Sequence, residues 1–214
     1  TNPAIDSIRE EVIMSLECLI GPEKNLLESK PENANRLRVK NPILSNNELQ
    51  GITKLKGQGW KAKKIDITYS KIDGHDGMVQ RLDDICSEAE NASDKGYGFI
   101  ILTDKKIDKD RIAISSLLAC STVNNHLINS QKRKKVGIIL ESGEAREVHH
   151  HCLLFGYGAD AINPYLAFEA IWQYKIDGHL DKADISDYDS MVKAYKKGVK
   201  TVSYTHLTLP TTSV

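Results

Sequence analysis

At 214 residues, 40% hydrophobic and 27% charged, the chain is long enough to bury a core and has the composition of a globular domain. Its 29 basic and 29 acidic residues cancel, which excludes a whole-protein field that would draw in nucleic acid or an anionic membrane. No apolar run is long enough to span a membrane, and no signal-peptide pattern is present.

In chain order, the opening "TNPAIDSIRE" reads as an ordered loop in which Pro3 holds Asn2 extended. The chain starts at Thr1 without an initiator Met, so its N-terminal side is expected to be truncated. Residues 12–21 fit a strand or a short buried helix, and 21–39 reads as a long surface connection. A short helix with a polar cap is predicted from Ser45. The alternation in "KKIDITYS" (63–70) predicts a strand. In 76–96, Met78, Leu82, Ile85, Cys86 and Ala89 recur at helical spacing. "GFIILTD" (98–104) and "VGIILES" (136–142) are continuous apolar runs, as expected of strands buried on both faces. Between them, 110–131 is predicted to be helical. A helix from about Gly143 to the Gly-Tyr-Gly at 156–158 follows, then a brief strand at 160–164 stopped by Pro164. Residues 186–200 form an acidic-to-basic helix that suits the macrodipole. From about Val202 the Thr-rich tail shows no helical stripe, and 201–214 is expected to be non-native or disordered.

Strands alternating with helices predict right-handed crossovers and a parallel sheet, either doubly wound or part of a β/α barrel. The expected fold is therefore α/β: parallel β/α units forming a partial, barrel-like domain with an irregular N-terminal extension. Polar residues fall at the strand ends, namely Asp104, Glu141 with Ser142, and Asn163. That edge faces ligands in β/α architectures, although Ser142 is equally well placed to cap the next helix.

The chemistry-bearing motifs are incomplete. Glu147, His150 and His151 sit at helical i,i+3 and i,i+4 spacing, a half-set for a carboxylate-bridged metal. His149, His150 and His151 fan about 100° apart on a helix, so one ion cannot take all three. His126 has no second ligand nearby in sequence. The Gly-Tyr-Gly at 156–158 closes a helix rather than opening one, which is the wrong end for a phosphate. The basic run "QKRKK" (131–135) closing a helix reads as dipole compensation on a solvated face. Cys18, Cys86, Cys120 and Cys152 lack C-x-x-C spacing and lie in apolar neighbourhoods, so they read as reduced core thiols.

Four blocks go further: "TNPAIDSIREEVIMSLECLIGPEKNLLE", "NPILSNNEL", "SLLACSTVNNHLI" and "ESGEAREVHHHCLLFGYGADAINPYLAFE". Together they resemble the central domain of the glutamate synthase large subunit over residues 1–200. The resemblance implies a domain that connects a glutamine amidotransferase domain to an FMN and 2-oxoglutarate domain and helps shape an ammonia tunnel. It implies FMN and an iron–sulfur cluster in the parent enzyme, but neither cofactor, no metal and no catalytic residue in this segment. Thr1 and Asn2 of the TNPAID block are the expected tunnel or interdomain residues. Expected partners are the amidotransferase and FMN domains, with an NADPH-dependent small subunit or ferredoxin as electron source, and neither nucleic acid nor membrane. The location implied is cytoplasm, or plastid in a photosynthetic eukaryote. The alternatives from the residues alone are a stand-alone metal-dependent enzyme built on Glu147, His150 and His151, and an interaction module using 131–135.

Overall fold

The computed structural model describes residues 15–25, 27–57, 59–180 and 185–207, with 201–207 described by backbone alone. Its elements run β1 (Cys18–Ile20), β2 (Leu37–Val39), α1 (Asn46–Thr53), β3 (Ala62–Asp66), β4 (Thr68–Ser70), α2 (Gly74–Asp94), β5 (Phe99–Thr103) and β6 (Arg111–Ala113). There follow α3 (Ser116–Asn129), β7 (Gly137–Glu141), α4 (Val148–Gly156), β8 (Ala161–Asn163), α5 (Tyr165–Ile176) and α6 (Tyr188–Leu207).

A four-stranded parallel sheet, ordered β3-β5-β7-β8, organises the core. Spatial order follows chain order, so there is no reversal point, as in a segment of a β/α barrel. The sheet stays open. Beyond β8, residues 42–44 add a short parallel bridge, with Leu44 N–H donating to Ile162 and Ile162 N–H to Pro42.

Strand alternation divides the core into two layers. On one face Ile65, Ile100, Leu102, Ile138, Leu140 and Ile162 pack against α2, α3 and α4 through Ile85, Ala89, Ala119, Val123 and Leu154. On the other, Phe99, Ile101, Ile139 and Ala161 meet Ile20, Leu44, Leu49 and Ile52 from β1, the bridge segment and α1. A third cluster, Ile43, Phe168, Met191, Val192 and Val199, joins α5 and α6 to the end of the sheet.

The predicted strand at 63–70 divides in two. The Asp66 carboxylate accepts from the Thr68 N–H (3.0 Å) and hydroxyl (2.8 Å), a local turn that breaks the ladder at Ile67. β4 then pairs antiparallel with β6, so 111–113 is strand where a continuous helix is predicted. Arg111 fixes this ribbon by donating to the Thr68 hydroxyl, the Thr68 carbonyl and Asp66. The region read as a surface connection contains β2, which closes a hairpin on β1. α6 runs to Leu207, past the Val202 boundary expected from the sequence.

Helix ends follow a recurring device. α2, α4 and α5 each place a positive-φ glycine (Gly96, Gly158, Gly178) after the cap, with the six-to-one and five-to-two bonds of a Schellman motif. α3 ends the same way, but with Gln131 at φ 58. At the N-termini, Ser45 and Glu48 form a reciprocal capping box on α1, and Asp187 with Ser190 does the same for α6.

Candidate functional site

The polar strand ends do converge at the carboxyl edge of the sheet. Glu141, buried there, meets Lys64 Nζ at 3.0 Å and Lys105 Nζ at 3.2 Å. Burial opposes its ionisation, but the Thr103 hydroxyl and the two lysines outweigh that and hold its carboxyl below the ordinary range. Asp104, one residue past β5, behaves oppositely. Burial raises its pKa more than the Gly143 amide (2.7 Å) and the nearby Tyr165 phenol lower it. Lys105 also lies 4.5 Å from the Tyr165 ring centroid, a cation–π contact. Asn163 donates to the Leu44 carbonyl and to Asn46 Oδ1, both at 2.9 Å.

This edge holds the fold together. Ser142 does not cap α4 as expected; its hydroxyl pairs with Ser116 Oγ at 2.7 Å and accepts from the Glu144 N–H at 3.0 Å. Glu144 caps α3 instead, accepting from the Ser116 N–H at 2.7 Å. The loop of residues 143–147 is thus spent on bridging β5, β7 and α3, and α4 starts only at Val148 with Glu147 as an extended cap. That corrects the helix predicted from Gly143.

The histidines separate accordingly. His149 is exposed, and His150 Nδ1 accepts from the Arg146 N–H at 3.3 Å while its Nε2 lies 3.4 Å from Glu147. His151 is buried against α6, with Nε2 2.8 Å from the Tyr195 hydroxyl. Tyr195 donates onward to the Arg146 carbonyl at 2.9 Å, so His151 must donate to Tyr195 from Nε2. Its Nδ1 has no partner among the described residues. Burial lowers its pKa to about 4, with His150 adding to the effect. No group of three metal-ligating side chains occurs among the described residues. His126 turns out to be paired, its Nε2 2.7 Å from Glu90, which Lys132 also reaches at 2.8 Å. The basic run is partly spent on structure: Lys132 bridges Glu90 and Asp94, and Arg133 binds Asp160 and the Gly158 carbonyl.

Among the described residues, the two most buried thiols do not suit an iron–sulfur cluster, and the start of α3 does not suit a flavin phosphate. Cys86 and Cys120 are buried in α2 and α3, and desolvation pushes their thiols up to about 11 and about 12, the reverse of what a thiolate ligand needs. At the carboxyl edge, the Ser116 amide at the start of α3 is already taken by the Glu144 carboxylate, whose charge opposes a phosphate there. A cleft of about 600 Å3 opens at the β3 end of this edge, beside β4, β6 and α2, and shares Lys64 with it. It is lined by interleaved charges, Asp66, Arg81, Glu88 and Arg111 among them. Thr1 and Asn2 lie outside the described residues.

The strand ends were identifiable in the sequence as polar positions, whereas Lys64, Lys105, Ser116, Glu144 and Tyr165 were not singled out. Lys64 carries no such signal, because β3 is only partly buried, with Ile65 its one buried residue. The other four become informative only once the loops are folded.

The fold and its edge define a class: a parallel β/α domain whose carboxyl edge is largely taken up by internal polar contacts, with Asp104 Oδ1 and Asn163 Oδ1 left buried and without a partner among the described residues. The sequence matches the glutamate synthase central domain over residues 1–205, and the chain belongs to that family. It is 43% identical over 193 residues to the NADH glutamate synthase of Saccharomyces cerevisiae, covering 89% of this chain and 9% of the yeast protein. It is 40% identical over 199 residues to the NADPH glutamate synthase large chain of Bacillus subtilis, covering 93% and 12%. The ferredoxin-dependent glutamate synthase of Pyropia yezoensis is 36% identical over 171 residues, covering 79% and 11%. The chain thus spans about a tenth of the length of these relatives.

Proposed function

We propose that this domain connects a glutamine amidotransferase unit to an FMN unit in a polypeptide that makes glutamate from glutamine and 2-oxoglutarate, and that its TNPAID segment helps shape the ammonia path between them. The observation carrying the reading is the family match across residues 1–205. A domain of this kind contributes position: it fixes the distance between two catalytic units and offers small polar groups to a neutral NH3. Thr1 and Asn2 are assigned that role, with the electrons arriving elsewhere in the assembly from a reduced nicotinamide or ferredoxin partner.

Two experiments test this. The purified chain is expected to be colourless and without glutaminase activity; a bound flavin or glutamine hydrolysis would overturn the connecting role. In the full-length polypeptide, Thr1→Phe with Asn2→Leu is expected to lower glutamine-dependent glutamate formation while sparing the reaction fed with external ammonia. Equal losses in both assays would remove the tunnel assignment and leave the connecting role standing.

A further inference from the structure

α5 is apolar almost all the way round, yet only one side of it is covered. Ala167 and Phe168 are buried, and Ile171 and Trp172 pack on the α6 cluster. The opposite arc, about 160° wide at 100° per residue, carries Leu166, Glu169, Ala170, Gln173, Tyr174 and Ile176. Leu166, Tyr174 and Ile176 are 46%, 52% and 62% exposed, and Ala170 is exposed as well. A solvated helix face is normally polar, as on α6, where Lys193 and Lys197 point outward. Four apolar residues in six is the pattern of a face that belongs against something.

The arc also begins at the carboxyl edge. A Cβ on Gly143, in the loop after β7, would lie 3.3 Å from Leu166 Cδ2. The apolar stripe is therefore continuous with the rim of the sheet. Its one charge is Glu169.

We infer that the outer face of α5, from Leu166 to Ile176, is the seat of a neighbouring domain of the same polypeptide, one presenting an apolar surface with a basic group opposite Glu169. The inference rests on the connecting-domain reading and specifies which face makes the connection. The occupant follows from chain length: relatives that match this domain at 36–43% identity are roughly seven to ten times longer, so most of each such polypeptide lies outside it.

Hydroxyl-radical footprinting tests it, comparing the isolated 214-residue chain with the full-length polypeptide. Leu166, Tyr174 and Ile176 are expected to oxidise readily in the isolated chain and about fivefold more slowly in the full-length protein, where a docked core excludes water. Ile72, 90% exposed and remote from the arc, serves as internal standard in both. If the isolated chain does not fold, the ratio of Leu166 and Tyr174 to Ile72 within the full-length protein gives the same answer. Labelling of the stripe in proportion to its exposure in an active full-length enzyme overturns this inference alone. Protection already present in the isolated chain, with a dimer by sedimentation, overturns it in favour of a second copy. A full-length protein that does not make glutamate from glutamine refutes the functional reading, whatever the footprint shows.

Discussion

His151 offers a stability measurement whose sign and size follow from its surroundings. Buried between α4 and α6, it is held neutral in the folded state, with a pKa of about 4 against an ordinary value near 6.5. The unfolded chain therefore binds a proton between those values that the folded chain refuses. Stability from this group is complete above pH 6.5 and is lost as pH falls toward 4. Moving from pH 7 to pH 5 should cost about 2 kcal/mol, and the full window about 3 kcal/mol. The groups facing His151 are His150 on its own helix, Tyr195 on α6 and, through Tyr195, the Arg146 carbonyl. Carboxylates elsewhere also titrate in this range, so the useful quantity is a difference. Urea unfolding of the wild type and of His151→Gln, at half-unit steps from pH 4.5 to 7.5, isolates the imidazole. Wild-type stability is expected to fall faster than the variant's on acidification. A difference curve that is flat, or that rises toward low pH, would refute the argument.

Other expectations follow from single contacts. Gln131→Gly removes a side chain from a left-handed C-terminal position and should stabilise the chain by up to about 1 kcal/mol in thermal unfolding. Gly98→Ala would place a Cβ 1.8 Å from the Gly59 carbonyl oxygen, so the backbone must shift and stability should drop by about 3 kcal/mol, read from the urea midpoint. Glu144→Ala uncaps α3 and frees Ser116, at a cost of about 1 kcal/mol, with amide exchange speeding up first at the start of that helix.

How far the sequence reveals this molecule depends on where the determining contact lies. Continuous apolar runs such as 98–104 and 136–142 report their own burial, and the glycines at 96 and 158 announce the helix ends they close. A helix period was likewise enough for α2. The errors lie where a long-range partner overrides local preference. Residues 111–113 look helical until Arg111 reaches across 43 positions to Thr68. Residues 143–147 continue a helix on paper until Asp104 and α3 claim their amides and carboxylate. The histidine run misleads for the same reason: its spacing suggests a constellation, and only the packing of α6 shows that His151 faces inward while His149 does not. Polar strand ends were visible as such, but the pairing of Glu141 was not, because it depends on Lys64 and Lys105 arriving from two separate segments.

The second sheet face carries a consequence for any small molecule that would cross this domain. In a closed barrel, the positions held by Phe99, Ile101, Ile139 and Ala161 would line the axis. Here β1, the bridge segment 42–44 and α1 fill that space with Ile20, Leu44, Leu49 and Ile52. Among the described residues the centre of the sheet is a plug, so a small molecule passed from one side of this domain to the other would travel round its outside. Whatever closes such a path would have to come from outside the domain.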